Sequence, residues 1–127
     1  MRKPATNLLF SMIHDYLKIY LPKQKNRSDN TIDSYRVTLE QLVDYIKAQN
    51  KVPLQNVTFE MLTPEMITNF LDWLEVDNAC SISTRNTRLA AIRAFVKFAA
   101  ERDISTVEIF AGIKKFSLKK PNKSAML

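Results

Sequence analysis

Few side chains in this chain can do covalent or acid–base chemistry. There is one histidine, His14, one cysteine, Cys80, and four tyrosines, Tyr16, Tyr20, Tyr35 and Tyr45. A tyrosine can attack a phosphodiester, but phosphoryl transfer also needs converging cations and a proton relay. All four tyrosines fall within helically periodic apolar segments, which marks them as core or core-edge residues. His14 sits on a helix flank among bulky apolar residues, and Cys80 in a loop near a helix start. One histidine and one cysteine do not make a zinc site, which normally takes four ligands. No glycine-rich phosphate loop is present. These residues predict no catalysis, no metal and no cofactor for this stretch of chain.

The residues that do carry a signal are basic. Ser83 to Arg102 reads STRNTRLAAIRAFVKFAAER, with Arg85, Arg88, Arg93 and Lys97 before its first acid. From Val52 to Thr84 there are five acids and no Lys or Arg. A soluble helix usually mixes signs, because opposite charges four residues apart stabilise it. Segregation of this kind points to a polyanion. The net charge of +6 and a pI of about 9.6 agree with that partner. On a helical wheel Leu89, Ile92, Phe95, Val96 and Ala99 form one stripe, which must be core. Asn86, Ala90, Arg93, Ala94 and Lys97 fall opposite it. The amino end offers Ser83, Thr84, Arg85, Asn86 and Thr87 beside free backbone N–H groups, a natural site for a phosphate or a base edge.

Positioning such a surface takes a helical bundle. The 127 residues form one domain with room for a core, and a single glycine, Gly112, argues against a sheet-rich fold. No apolar run is long enough to span a bilayer, and the broken N-terminal pattern is not a signal peptide. The lone cysteine fits a reducing cytoplasm. Helical spacing predicts a first helix over Leu8–Tyr20, capped by Thr6 or Asn7 and closed by Pro22. After the basic loop KQKNRSDN, which includes Arg27, Asn30 caps a second helix that buries Ile32, Tyr35, Leu39, Leu42, Val43 and Ile46. Val52 to Leu62 reads as an extended connector. Thr63-Pro64-Glu65 starts a third helix, with Trp73 as a core anchor. Ser83 or Ser81 caps the fourth, and Asp103–Ile113 forms a short fifth on Val107, Ile109, Phe110 and Ile113. The expected architecture is all-α, four main helices and a short fifth. Residues 1–5 are a tail, 6–113 the domain, and 114–127 a basic linker.

Three segments in order resemble the core-binding domain of tyrosine recombinases, the phage-integrase family. They are Asn30-Thr31-Ile32-Asp33-Ser34-Tyr35-Arg36, Leu62-Thr63-Pro64-Glu65-Met66-Ile67 with Phe70, Leu71, Trp73 and Leu74, and Ser83 to Phe95. The likeness covers about residues 8–123. It departs at Ser105-Thr106, where many members carry Asn-Pro. The resemblance implies a SAM-like bundle gripping one face of a recombination site in duplex DNA, mainly through its second and fourth helices. It also implies a separate C-terminal domain that carries the nucleophile, and a basic connector near the DNA backbone. The full-length protein would be tetrameric on DNA, the isolated domain monomeric and cytoplasmic.

The expected DNA contacts are Arg27, then Thr31, Ser34 and Arg36 on the second helix. On the fourth they are Ser83, Thr84, Arg85, Asn86, Arg88, Arg93 and Lys97, and on the linker Lys114, Lys115, Lys119 and Lys120. Arg85 or Asn86 is expected at a base edge, because both side chains can make bidentate contacts there. Two other classes compete. A SAM-like or death-domain-like bundle of this size can bind proteins instead. A helix-turn-helix regulator is opposed by the long connector between the second and third helices.

Overall fold

The computed structural model describes residues 7–119. Among them there are helices and turns but no strand. Helix α1 spans Leu8–Asp15 and continues as a wider π-helical segment, Tyr16–Gln24. Helix α2 spans Asp29–Asn50, α3 Pro64–Val76, α4 Ile82–Arg102 and α5 Val107–Ile113. Single 3-10 turns at Leu54–Asn56 and Phe59–Met61 occupy the stretch expected to be extended, and a third, Ile104–Thr106, precedes α5. The expected tail over residues 1–5 and the linker beyond residue 119 lie outside the described residues.

The helix starts follow from capping side chains. Asn7 Oδ1 accepts from Leu9 N at 2.8 Å, and its Nδ2 donates to the carbonyls of Gln55 and Val57. One residue therefore caps α1 and ties it to the connector after α2. Helix α2 is capped by Ser28, not Asn30: Ser28 Oγ accepts from Thr31 N at 3.2 Å. The hydroxyl reaches the N3 amide, and Asp29 then lies in the first turn, where the helix dipole favours an acid. Thr63 caps α3 as expected, with Pro64 at its first position. Ser81 caps α4, accepting from Thr84 N at 3.1 Å.

Pro22 does not close the first helix. It lies inside the π-helical segment. Proline has no N–H to donate, and in an α-helix its ring clashes with the carbonyl four residues back; the wider turn relieves that clash. Lys25 N reaches Tyr20 O at 2.9 Å, and Arg27 N reaches Leu21 O at 2.9 Å. Two residues past the segment, Asn26 has φ 51°, a left-handed conformation that asparagine tolerates better than most residues.

Helix α4 lies at the centre. Its expected stripe of Leu89, Ile92, Phe95, Val96 and Ala99 is at most 1% exposed. Around it pack Leu9, Met12 and Tyr16 of the first helix and Leu39, Leu42, Val43 and Ile46 of α2. Val57, Phe59 and Leu62 of the connector and Ile67, Phe70, Leu71 and Leu74 of α3 complete the core. Trp73 is a core-edge residue, half-buried with its ring 5.3 Å from that of Tyr45. Of the face expected on α5 only Ile113 is fully buried, and Val107 is exposed. Gly112 is where α5 crosses α3 closely: a Cβ there would lie 3.1 Å from Pro64 Cγ.

Candidate nucleic-acid interface

The exposed side of α4 carries Ala90, Arg93, Ala94 and Lys97, and a groove runs along each flank. Toward α5 the groove is about 410 Å3, lined by these four residues with Phe110 and Lys114. Toward the end of the first helix and the start of α2 it is about 350 Å3, and Tyr16, Tyr20, Lys25, Arg27 and Tyr35 line it. Both grooves share Ala94 and Lys97, so they meet there. The two alanines keep the ridge between them low. Arg27, Arg93, Lys97 and Lys114 therefore border one continuous surface. None of the four makes an ion pair among the described residues, and the one carboxylate in either lining is Glu101. An unpaired row of cations over a low surface is what a polyanion requires.

The amino end of α4 is arranged otherwise. Arg85 precedes Leu89 by one helical turn, which puts it on the buried stripe, and it is 7% exposed. Its Nη1 donates to Asn86 Oδ1 at 3.0 Å and to Ser117 O at 3.3 Å. Its Nε is buried with no partner among the described residues. Asn86 pairs with the backbone of Lys119 in both directions: Nδ2 donates to Lys119 O at 2.7 Å, and Oδ1 accepts from Lys119 N at 2.8 Å. Lys119 Nζ meets Glu75 at 2.8 Å. Residues 117–119 thus form a strap across the start of α4, with Leu118 beside Ile82, Ser83 and Thr87. Both side chains expected at a base edge face the protein's own backbone instead. The residues that hold them lie more than thirty positions away in sequence, at Ser117 and Lys119.

Arg88 is also turned inward. Its Nε donates to Gln41 Oε1 at 3.0 Å and its Nη1 to Thr38 Oγ1 at 3.5 Å, joining α4 to α2. Ser83 is exposed and Thr84 half-buried, its hydroxyl 3.2 Å from the capping Ser81. On α2, Thr31 takes a hydrogen bond from Ser28 Oγ, and the Ser34 carbonyl accepts from the buried Thr38 hydroxyl. Arg36 pairs with Asp33 at 3.3 Å and Glu40 at 3.2 Å on its own helix. The hydrogen bonds it donates to those two carboxylates, Asp33 first, raise its pKa. It borders an apolar groove with Phe10, Ile13 and Leu17, not the surface of Arg93 and Lys97. Lys115 is exposed, and Lys120 lies outside the described residues.

Sequence reasoning missed Lys25 and the hydroxyl ends of Tyr16, Tyr20 and Tyr35. The tyrosine rings are core or core-edge as expected, with Tyr16 4.9 Å from Phe98 and 5.4 Å from Phe95. Burial, reinforced by Tyr35 and Tyr20, pushes the Tyr16 pKa well up, while Arg27 draws it down. The four-residue spacing of Tyr16 and Tyr20 was the available signal that they share a face. Among the described residues no cluster of His, Cys, Asp and Glu could hold a metal, and no helix is long and apolar enough to cross a membrane.

Residues 13–103 match the family model described as phage integrase, N-terminal SAM-like domain. The chain is 34% identical over 92 residues to the "Putative integrase/recombinase y4rC" of Sinorhizobium fredii (strain NBRC 101917 / NGR234), covering 72% of this chain and 28% of that protein. It is 35% identical over 96 residues to the "Putative integrase/recombinase y4rD" of the same strain, covering 76% of this chain and 34% of that one. The chain thus spans about a third of the length of these relatives. No solved structure matches significantly. The helical bundle, its order of elements and this match over most of its length agree: the chain belongs to the phage integrase family, as its N-terminal SAM-like domain.

Proposed function

We propose that this domain binds duplex DNA as the core-binding part of a site-specific tyrosine recombinase. It grips one face of the recombination site, and the strand-breaking residues belong to another domain of a longer protein. The observation that carries this reading is the row of cations Arg27, Arg93, Lys97 and Lys114, without an ion pair among the described residues, around the shared seam of two grooves. These four touch phosphates, with Lys115 extending the track; Lys120, outside the described residues, is a further expected phosphate contact of the linker. Thr31, Ser83 and Thr84 are hydroxyls in the first turns of α2 and α4, where helix ends favour phosphate oxygens, and Ser34 lies one turn further along α2. Arg85, Asn86 and Arg88 hold the domain's own geometry, and Arg36 and Lys119 are each paired with a carboxylate. The isolated domain is a monomer that cuts no DNA, acts in the cytoplasm and joins a tetramer in the full-length protein.

The test is duplex affinity across a salt series. Six phosphate-contacting cations give a log–log slope of about −5.4 on B-DNA. Absence of duplex binding at low salt, with concentration-dependent self-association in sedimentation, would instead favour a protein-interaction module.

A further inference from the structure

The wide turn that carries Pro22 has a second effect. It brings Lys25 and Arg27 back over the first helix, beside Tyr16 and Tyr20 of the same segment. Tyr35 of α2 and Lys97 of α4 close the remaining sides. Three cations from two elements and three phenol groups from two elements thus line one pocket of about 350 Å3. Lys25 Nζ is placed 5.8 Å from the centre of the Tyr20 ring. The Tyr16 and Tyr35 rings lie 5.9 Å apart.

Tyr16 is the informative member. The residue is only 2% exposed, yet its hydroxyl is not among the fully buried, unpartnered side-chain atoms of the described residues, so what the residue leaves open faces the groove it lines. Burial and neighbouring groups account for its raised pKa, with no hydrogen bond among the causes. A tyrosine O–H is protonated at neutral pH even at its ordinary pKa of about 10, so it acts there as a neutral donor or acceptor. Its hydroxyl is a donor without an acceptor among the described residues, in a pocket rimmed by positive charge. Glu101 is the single carboxylate of the lining, and it makes no ion pair with Lys25, Arg27 or Lys97.

We infer that this pocket seats one phosphate oxyanion, with Tyr16 and Tyr35 donating hydrogen bonds and Lys25, Arg27 and Lys97 supplying the charge. A cation is excluded by the three positive groups. A tetrahedral anion suits donors that converge from several directions better than a planar carboxylate, which prefers a two-pronged partner. The same chemistry could come from free phosphate or from a DNA backbone. The pocket shares Ala94 and Lys97 with the second basic groove, which makes it one end of a track. The occupant is therefore a backbone phosphodiester. This rests on the DNA-binding reading, and it fixes where along the surface the strand is held.

Tyr16→Phe removes one hydroxyl and keeps the ring. It should weaken cognate and random duplex binding equally, by about tenfold, because a hydrogen bond to a charged group is lost. The salt slope should stay unchanged, because no charge is removed. Arg27→Gln should weaken both duplexes and flatten the slope by at most about 0.9, because Lys25 and Lys97 remain at the same phosphate. Thermal melts establish that each variant is folded, and Tyr35→Phe, at a half-buried position, carries the same test if Tyr16→Phe does not fold. A merely structural tyrosine would lower the melting temperature and leave duplex affinity of the folded protein as it was. Folded Tyr16→Phe and Tyr35→Phe that both bind duplex like wild type overturn the seat. The DNA-binding reading would survive that result if Arg93→Ala and Lys97→Ala still weaken binding. The second arm titrates inorganic phosphate and a nucleoside monophosphate against the free protein by NMR. Shifts at Tyr16, Arg27 and Lys97 are expected at millimolar phosphate, reversed by saturating duplex. Shifts with phosphate that duplex does not reverse assign the pocket to a free anion and overturn the backbone assignment. No shift with either anion overturns the seat even if duplex fails to bind.

Discussion

Asn86→Ala should free the strap that crosses the start of α4 without unfolding the domain. The substitution removes two hydrogen bonds to the Lys119 backbone, at 2.7 and 2.8 Å, and the acceptor that Arg85 Nη1 uses at 3.0 Å. A typical intramolecular hydrogen bond contributes about 0.5–1.5 kcal/mol net, so the two strap bonds together hold about 1–3 kcal/mol. The Lys119–Glu75 pair remains, but the lysine side chain is 49% exposed and such a pair adds at most about 1 kcal/mol. Arg85 also keeps Ser117 O. The strap therefore opens more often and still recloses. Amide hydrogen exchange measured residue by residue is the assay. Protection of the Lys119 amide should fall by roughly 5- to 150-fold, since about 1.4 kcal/mol is a factor of ten. Amides of Ile92 and Phe95, in the buried middle of α4, should exchange as in wild type. A Lys119 amide that exchanges freely in the wild-type protein, or is equally protected in the variant, would refute the strap. Asn86 Oδ1 already accepts from both Lys119 N and Arg85 Nη1. Both its lone pairs are then in use, so a two-pronged base contact requires the strap to leave. We expect the Lys119 amide to stay protected when duplex is bound.

Lys97→Ala should weaken cognate and random duplex alike and flatten the salt slope by about 0.9, measured by anisotropy titration. Leu89→Ala, at a position with no exposure in the core of α4, should lower unfolding free energy by about 2–5 kcal/mol in denaturant melts. Asp103, at the α4 end, accepts from the Ser105 hydroxyl at 2.6 Å and from Ser105 N at 2.9 Å, and these bonds lower its pKa. A depressed carboxylate pKa stabilises the fold fully above the unfolded value of about 3.9 and loses that contribution as pH falls through the folded value. Melts of wild type should therefore lose stability below about pH 4 relative to Asp103→Asn, and parallel curves across that window would remove Asp103 from the account.

Much of the fold was legible because its rules are local. Thr63-Pro64-Glu65 starts α3 through hydrogen bonds that reach no further than Ile67. The α4 stripe from Leu89 to Ala99 is buried as its spacing required, because a helix repeats its own face whatever it packs against. The same locality misled at Pro22. A proline stops an α-helix, but the chain can widen into a π turn when Leu21 beside it is drawn into the core, and Leu21 is 2% exposed. It misled at Asn30 as well, where the hydroxyl of Ser28 two residues earlier reached the free amide first. For the candidate site, the sequence by itself determined that α4 would be basic on one side, and it named Arg93 and Lys97 on that side. Which other charges join them was a tertiary matter. Arg27 and Lys114 lie far from Lys97 in sequence and come to it only because the first helix and α5 pack against opposite flanks of α4. Arg85 and Asn86 have every feature of reading residues in a list of letters. A backbone segment beginning at Ser117 supplies their partners, and no periodicity within α4 can foretell a hydrogen bond to a strap that folds back from the far end of the domain.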